Sequence, residues 1–380
     1  MADALKTRLC DLLGCEYPII QTAMGWVADP RLVAATCNAG GFGFLAGATI
    51  PPAEMEQAII ATRALTDRPF GVNFHMYQPN AAEIVELVVK HGLRAVSYSR
   101  SPGKAMIARL KDNGVVCIPT VGALKHAVKA VELGADAVTV QGGEGGGHTG
   151  SVPTSILLPQ VVDALDVPVV AAGGFKDGRG LVAALAWGAD GIAMGTRFLM
   201  TRDSPVPAET LARYVAARDP AAIIVSRAID GMPQRMIGNE LLNELERAGN
   251  LKRLLLALKS GLAYRKLSGL GVGQMLKTAL GMRSGGLTAA QTLMAANAPM
   301  VIQKAMVEGR PAEGVLPSGQ IAGAIDSLLS CHELIDGIVR EARERLAALG
   351  ARNLRISPNE ALACSAGRNR GAVSKACRSL

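Results

Sequence analysis

Short apolar runs alternate with amphipathic segments through roughly the first 200 residues of the chain. The apolar runs have the length of strands, and the segments between them repeat apolar residues at helical spacing. Strands that alternate with helices favour a parallel sheet. The eight predicted strands are Pro18–Met24, Gly43–Ala46, Phe70–Asn73, Ala95–Tyr98, Val115–Pro119, Ala137–Gln141, Pro168–Ala172 and Gly191–Met194.

The segments between the strands carry helix boundaries. Asp29-Pro30 begins one segment, because proline fits the first turn of a helix. Leu133-Gly134-Ala135-Asp136 and Trp187-Gly188-Ala189-Asp190 repeat one helix-to-strand turn. The count of strands, with glycine loops after the seventh and eighth, predicts an α/β fold, a parallel (β/α)8 TIM barrel. A doubly wound open sheet is the main competitor.

A different pattern begins near Thr201, where strand-like runs give way to helical segments such as Ala208–Ala217 and Glu240–Ala248. We expect residues 203–310 to form a helical lid, inserted over the barrel mouth. His332–Leu349 is expected to be a terminal helix that closes the barrel. The predicted domains are therefore a barrel over 1–202 and 311–350, the insertion, and a loose basic tail over 351–380.

The net charge of +8 is concentrated in the predicted insertion. No Asp or Glu lies between Glu246 and Glu308. A basic surface suits an anionic substrate, and a solvated basic face explains it equally well. Only 3% of the chain is aromatic, which argues against stacking of nucleic-acid bases, so no nucleic-acid partner is expected. The basic residues in this stretch include Lys252, Arg253, Lys259, Arg265, Lys266, Lys277, Arg283 and Lys304.

The seven cysteines show no C-x-x-C spacing. They are typical of free thiols in a reducing compartment, and no metal site is expected. Residues 1–13 contain no uninterrupted apolar core, so no signal peptide is predicted. The sequence contains no apolar run of about 18 residues, so no membrane span is predicted. The expected location is cytoplasmic.

The most informative segment is the glycine-rich stretch from Gln141 to Gly150, which follows a predicted strand and surrounds His148. Glycines allow the backbone to approach a large flat molecule closely. A histidine there can change its protonation state near neutral pH. In a β/α barrel this loop lies at the catalytic end, so His148 is the predicted acid–base residue.

Two further glycine-bearing strand ends, Gly173-Gly174 and Gly195-Thr196, occupy the place where barrels bind phosphate. The amides of Asn73 and Gln141 offer the donor and acceptor atoms that the polar edge of a flavin requires. No G-x-G-x-x-G sequence opens a first helix, so a Rossmann dinucleotide site is not supported. The pattern predicts a phosphate-bearing cofactor across the barrel mouth.

These motifs resemble the nitronate monooxygenase (2-nitropropane dioxygenase-like) family, over about residues 8–200 and more weakly through Pro317–Gln320. The resemblance implies non-covalently bound FMN, with His148 beside the flavin as base or proton donor. It implies that Met24 and Gly25 border the flavin ring, with Gly146 and Gly147 passing close to it. It also implies that Asn73 and Gln141 bond the polar parts of the ring and that Gln320 contacts substrate. The residues implied to hold the phosphate are Gly173, Gly174, Gly195 and Thr196. The motifs are Pro18–Met24, Asn38–Gly43, Gly71–Asn73, Gly142–Gly150, Ala171–Gly174 and Met194–Phe198, and the implied cofactor residues are Met24, Gly25, Asn73, Gln141, Gly146, Gly147, Gly173, Gly174, Gly195 and Thr196.

The family resemblance leaves the reaction open, because the superfamily also contains enoyl-thioester and quinone reductases. The first hypothesis is oxidation of alkyl nitronates by dioxygen. The alternative is an FMN-dependent dehydrogenase or reductase of a coenzyme A thioester, enoyl or derived from a steroid ring. The long basic lid favours this alternative, since it suits the phosphates of coenzyme A. A third reading is a non-catalytic barrel that binds a partner. A homodimer is compatible with all three.

Overall fold

A closed barrel of eight parallel strands forms the centre of the chain. It is seen in a computed structural model that describes residues 3–75, 78, 80–99, 102–248 and 297–353. Each strand overlaps a predicted one, so the predicted fold class is confirmed, and the last strand pairs with the first through Ile19 and Ile192. The barrel strands are β1 (Ile19–Gln21), β2 (Phe42–Leu45), β3 (Gly71–His75), β4 (Ala95–Ser99), β5 (Val116–Val121), β6 (Val138–Gln141), β8 (Val169–Ala172) and β9 (Gly191–Met194), while β7 (Gly147–His148) lies outside the barrel.

Helices surround the barrel, and the last of them completes the ring. It runs over Cys331–Asn353, where a terminal helix is predicted, and packs against the helices that follow β1 and β8. The described helices are α1 (Arg8–Leu13), α2 (Pro30–Asn38), α3 (Met55–Leu65), α4 (Ala81–Lys90), α5 (Lys104–Lys111), α6 (Leu124–Glu132), α7 (Thr154–Ala164), α8 (Gly178–Ala186), α9 (Thr196–Leu199), α10 (Ala208–Ala216), α11 (Glu240–Arg247), α12 (Asn297–Met306) and α13 (Cys331–Asn353).

The core has an inner part within the barrel and outer parts between strands and helices. Phe42 and Phe44 pack edge to face inside the barrel, with ring centroids 5.1 Å apart. Leu9 and Leu13 of α1 belong to the same buried cluster, so α1 closes the end of the barrel opposite the carboxyl ends of the strands. With that end blocked, the carboxyl end is the one available to a ligand among the described residues, and it is where the sequence predicts the site.

The repeated Gly-Ala-Asp turn has one structural role at both of its positions. Oδ2 of Asp136 accepts a hydrogen bond from the Cys117 amide at 2.9 Å, and Oδ2 of Asp190 accepts one from the Val169 amide at 3.1 Å. Each carboxylate thus holds the start of the neighbouring strand. Asp190 also accepts two bonds from the Arg8 guanidinium at 2.9 Å, which fastens α1 to the barrel.

A second, antiparallel sheet lies outside the barrel, and we call it the small sheet. Its central strand β11 pairs with β10 on one edge and with β7 and β12 on the other. The helices α10 and α11 lie where the sequence predicts them, but the strands of the insertion are not predicted. The strands of the small sheet are β7 (Gly147–His148), β10 (Ile223–Ser226), β11 (Gln234–Ile237) and β12 (Leu316–Pro317).

Several sequence predictions concern residues that the structure does not describe. Residues 249–296 carry half of the Lys and Arg residues of the predicted lid, and residues 354–380 make up most of the predicted tail. The domain boundaries therefore stay predictions. Within the described ranges, no helix combines the length and apolar character needed to cross a bilayer.

Candidate active site

One half of the barrel mouth is lined with polar side chains. Val72, Phe74 and Tyr98 pack outward against the helices, so the alternating residues of β3 and β4 point into the barrel. The same alternation applies along β5 and β6. The inward residues nearest the carboxyl ends are Asn73, His75, Ser97, Ser99, Thr120 and Gln141.

The other half of the mouth is lined with small residues. Ala172 and Ala193 are the last inward residues of β8 and β9, and Gly174 and Gly195 follow at the next inward positions. Gly174 has a φ of 85°, and among the described residues the atoms that would lie within 4 Å of an added Cβ belong to Glu144, the nearer at 3.6 Å. Small residues facing hydroxyl and amide groups leave room for a planar ring with a polar edge. The mouth therefore fits a flavin.

The two predicted amides use their nitrogen atoms within the protein. Nδ2 of Asn73 donates to the Ser97 carbonyl at 3.1 Å, and Nε2 of Gln141 donates to the His148 carbonyl at 3.0 Å. Their oxygen atoms are the groups left to accept a hydrogen bond from a ring N–H. Gln141 has a second effect that the sequence does not reveal, because its bond ties the end of β6 to the His148 loop.

The glycines after β6 differ in what their backbone meets. A Cβ on Gly146 would lie 2.5 Å from the Gly319 nitrogen, so glycine is required there by close approach of the 318–319 backbone. Gly147 has a φ of 66° and nothing within 4 Å of an added Cβ. Of these two, Gly147 is the one that faces open space.

His148 is bound to a buried carboxylate. Its Nε2 lies 2.8 Å from Oδ2 of Asp230, and its side chain is 54% exposed where that of Asp230 is 3% exposed. The ring is thus held on one side and open on the other. The predicted acid–base histidine stands at the mouth with its second nitrogen, Nδ1, available to a ligand.

Asp230 lies in the turn between β10 and β11, and the sequence analysis does not identify it. Its carboxylate also accepts a bond from Nε2 of Gln234 at 2.6 Å and one from the Met232 amide at 3.0 Å. Pairing of β11 with β7 places Gln234 opposite His148. Asp230 and His148 are 82 residues apart, so no local spacing reveals their contact.

A second histidine stands across the mouth. Nδ1 of His75 lies 2.6 Å from the Ser99 hydroxyl, its partner on the next strand. Although part of the residue is exposed, loss of surrounding water within the mouth lowers the pKa of His75, and the positive charge of His148 lowers that pKa further. This shift favours the neutral form of His75, which can donate one hydrogen bond and accept another.

Glu144 supports the loop from beneath. Its carboxylate accepts bonds from the Thr154 amide at 3.0 Å and the Thr154 hydroxyl at 2.8 Å, at the start of α7. Arg235 donates from two nitrogens to the Gly143 carbonyl, at 3.0 and 2.7 Å. Burial lowers the pKa of Arg235, and the nearby charge of Glu144 opposes that change. Both side chains fix the backbone around Gly143.

The remaining predicted residues lie around the same opening. Gly195 approaches β1, because an added Cβ would lie 3.0 Å from the Thr22 hydroxyl and 3.5 Å from the Met24 sulfur. Gly25 lies against Thr49, because a Cβ added to Gly25 would lie 2.8 Å from the Thr49 methyl carbon. The Thr196 hydroxyl accepts a bond from the Gly319 amide at 2.8 Å, and the next amide, that of Gln320, donates to the Glu144 carbonyl at 2.9 Å.

A barrel with a histidine–carboxylate pair at a mouth of small and amide side chains is an arrangement typical of enzymes that use acid–base chemistry beside a planar ligand. Comparison with known proteins makes the class specific. A sequence model described as nitronate monooxygenase matches residues 6–341. The chain belongs to the nitronate monooxygenase family and is an oxidoreductase, and flavin use is typical of that family.

The individual relatives are not all of one activity. The chain is 50% identical over 348 residues to the (3aS,4S,5R,7aS)-5-hydroxy-7a-methyl-1-oxo-octahydro-1H-indene-4-carboxyl-CoA dehydrogenase of Rhodococcus jostii, covering 91% of this chain and 98% of that protein. It is 32% identical to a probable nitronate monooxygenase of Staphylococcus saprophyticus, covering 63% and 81%. FabK from Thermotoga maritima has a similar structure, with a TM-score of 0.76 and 30% identity over 91% of this chain and 99% of that one.

Proposed function

We propose that the chain is an FMN-dependent dehydrogenase acting on the coenzyme A thioester of a fused-ring carboxylic acid. The observation that carries this proposal is the likeness to the Rhodococcus jostii dehydrogenase, which extends over 98% of that protein. A match of that extent includes the insertion that bears Asp230. The likeness to the probable nitronate monooxygenase covers a smaller share of the chain, 63%.

The proposed cofactor is FMN, held by the barrel mouth. The positive φ of Gly173, 99°, and of Gly174, 85°, turns the backbone after β8 in a way that suits close approach of a phosphate. Gly195 and Thr196 would hold the same phosphate from β9. The oxygens of Asn73 and Gln141 would accept from the ring, and the turn from Met24 to Gly25 and the loop at Gly146 and Gly147 would border it.

The proposed chemistry uses the open nitrogen of His148. In a thioester the carbonyl acidifies the hydrogen on the neighbouring carbon, and Nδ1 of His148 would accept that proton. When bound, the flavin supplies a two-electron acceptor for the hydride from the adjacent carbon. Neutral His75 and the Ser99 hydroxyl stand across the mouth, where they would bond polar substituents of the substrate ring.

Coenzyme A adds several negative charges to the substrate. Lys252, Arg253 and the other basic residues of 249–296 are candidates for binding these negative charges. They lie outside the described residues, so only their charge supports this role. Of the basic residues in the acid-poor stretch, Arg247 and Lys304 are described, and Nζ of Lys304 lies 3.6 Å from Glu313. A cytoplasmic location and a homodimeric assembly stay predictions.

Nitronate oxidation is the second candidate, supported by the description of the matching family and by the Staphylococcus saprophyticus relative. In that reaction His148 would deprotonate a neutral nitroalkane or orient the nitronate, and dioxygen would be the second substrate. The non-catalytic reading loses its support, because the chain belongs to a family of oxidoreductases.

The deciding experiment is the visible spectrum of the purified protein, recorded without oxygen during additions of substrate. We expect the flavin band to bleach when the coenzyme A thioester of a hydroxylated hydrindane carboxylic acid is added. Free coenzyme A and the free carboxylic acid, added separately, are the controls. The bound cofactor is released by heat and compared with FMN and FAD by chromatography.

Each outcome points to one reading. Bleaching by the thioester alone supports the dehydrogenase, whereas bleaching by a small alkyl nitronate alone, reversed by air, supports the second candidate. A bound flavin that responds to neither would refute both reactions. Release of FAD would overturn the proposed cofactor but not the proposed reaction.

A further inference from the structure

We propose that Asp230 is the positioning residue that determines which ring nitrogen of His148 takes the proton. The inference rests on the proposed role of His148 as the base. It adds a residue from the insertion to a site that is otherwise built from the barrel and its first loops. It also assigns the reacting atom as Nδ1.

The assignment of the nitrogen follows from the bonding of the pair. A buried carboxylate can only accept hydrogen bonds, and Asp230 Oδ2 lies 2.8 Å from Nε2 of His148. In neutral His148, Nε2 therefore carries the hydrogen and Nδ1 carries the lone pair. The exposed 54% of the His148 side chain and the 3% exposure of Asp230 place the lone pair on the open side.

The carboxylate itself cannot turn away. Nε2 of Gln234 donates to the same Oδ2 at 2.6 Å, and the Met232 amide donates to Oδ1 at 3.0 Å. Counted over the whole residue, Gln234 and Asp230 are each 2% exposed, so water does not compete for these bonds. The two donors hold both oxygens and present one of them to His148.

The backbone fixes the distance between the two partners. Gln234 pairs with His148 and Arg235 with Gly147 in the antiparallel ladder of β11 and β7. The Thr149 amide also donates to the Pro233 carbonyl at 3.1 Å. A ladder of this kind sets the position of His148 more tightly than a free loop would.

A merely structural partner would change the stability of the fold when it is replaced. A positioning partner would also change the tautomer of His148 when its carboxylate is replaced, and that tautomer can be read from the ring ¹⁵N chemical shifts in the resting protein. The chain has five histidines, so the His148 signals are assigned by their loss in His148→Gln. We expect the Nε2–H tautomer in the unmodified protein.

The decisive variant is Asp230→Asn, which keeps the size of the side chain and removes its charge. The asparagine amide can donate to Nε2, which stabilises the opposite tautomer. We expect kcat to fall by about 10²–10⁴-fold, as in other enzymes where the same change gives the wrong tautomer, while KM changes by less than about 3-fold. The matched control is Asp219→Asn, a carboxylate of the insertion that caps the turn at Ala221 with a 2.8 Å bond and does not touch His148.

Asp230→Glu keeps a carboxylate and tests the same idea from the other side. We expect it to retain the Nε2–H tautomer and to recover part of the rate lost in Asp230→Asn. An Nδ1–H tautomer in the unmodified protein would overturn the assignment, even if Asp230→Asn failed to fold. Asp230→Asn with kcat within 2-fold of the unmodified protein, or Asp230→Glu with the tautomer kept and no recovery, would also overturn it.

Failure of the proposed function gives a different result. If the unmodified protein does not turn over the thioester, the proposed substrate is wrong. The ¹⁵N measurement does not depend on substrate, so it still decides whether Asp230 selects the nitrogen.

Discussion

The barrel and the small sheet are built from different kinds of information. Each barrel strand overlaps a short, mostly apolar run, and its neighbours in the barrel follow in chain order. The small sheet instead joins β7, the β10–β11 pair and β12, which come from three distant parts of the chain. The two-residue strands β7 and β12 are too short to give a local signal. Regular local patterns specify the barrel, whereas pairing between distant segments specifies the position of His148.

In the proposed function, the same division separates binding from chemistry. The barrel would supply the small residues and amides that border the flavin, and the small sheet holds His148 through Asp230. Variants in the two regions should therefore have separable effects. The three tests below begin with the largest expected effect.

Removing the base should abolish chemistry and spare binding. We expect His148→Ala to lower turnover at least ~100-fold, a loss of about 2.7 kcal/mol of transition-state stabilisation, with FMN still bound. Turnover and the flavin spectrum are measured on the same sample. His91→Ala is the matched control, because Nε2 of His91 lies 2.7 Å from Glu56 in a similar pair away from the mouth. Unchanged turnover would remove His148 from the mechanism.

A change in the barrel should do the reverse. We expect Gly174→Val to weaken FMN binding by roughly 10-fold, because its φ of 85° strains any other residue by about 1–2 kcal/mol and the side chain would enter the cradle. The bound flavin is measured after dialysis of samples at successively lower protein concentrations. Gly92→Val carries the same strain at a φ of 55° with open space around it, and it should keep its flavin. Normal flavin content in Gly174→Val would refute the phosphate assignment.

The smallest effect should be confined to the small sheet. Asn239 caps α11 by accepting from the Leu242 amide at 2.9 Å, and its Nδ2 donates to the Gly314 carbonyl at 2.6 Å. We expect Asn239→Ala to cost about 1 kcal/mol of local stability. Amide hydrogen exchange should become faster in Gln234–Ile237 and stay unchanged in Val169–Ala172. Equal acceleration in both segments would show that the two sheets do not open separately.

The barrel could be predicted because each of its elements is specified nearby. All eight strands were placed by apolar runs bounded by glycine or proline turns, and the repeated Gly-Ala-Asp turn marks two of the helix-to-strand connections. Apolar residues at helical spacing over His332–Leu349 predict the C-terminal helix. Strand ends in a barrel converge, so His148, Asn73 and Gly174 could be placed together without knowing any contact.

The parts that escaped prediction depend on contacts between distant residues. Asp230 precedes glycine, which is typical of an ordinary turn, and nothing near it in the chain points to His148. Its function becomes visible only when β11 pairs with β7. Gly146 is a related case, since its need for glycine comes from the 318–319 backbone and not from a ligand.

Support of the His148 loop by Ser318–Gln320 has a consequence for the order of synthesis. All eight barrel strands have been translated by residue 194, but the backbone against which Gly146 rests follows more than a hundred residues later. A nascent chain can thus complete the sheet that fits the cofactor long before it can fix the base. In the proposed function, oxidation of the substrate therefore waits until Ser318–Gln320 has joined the fold.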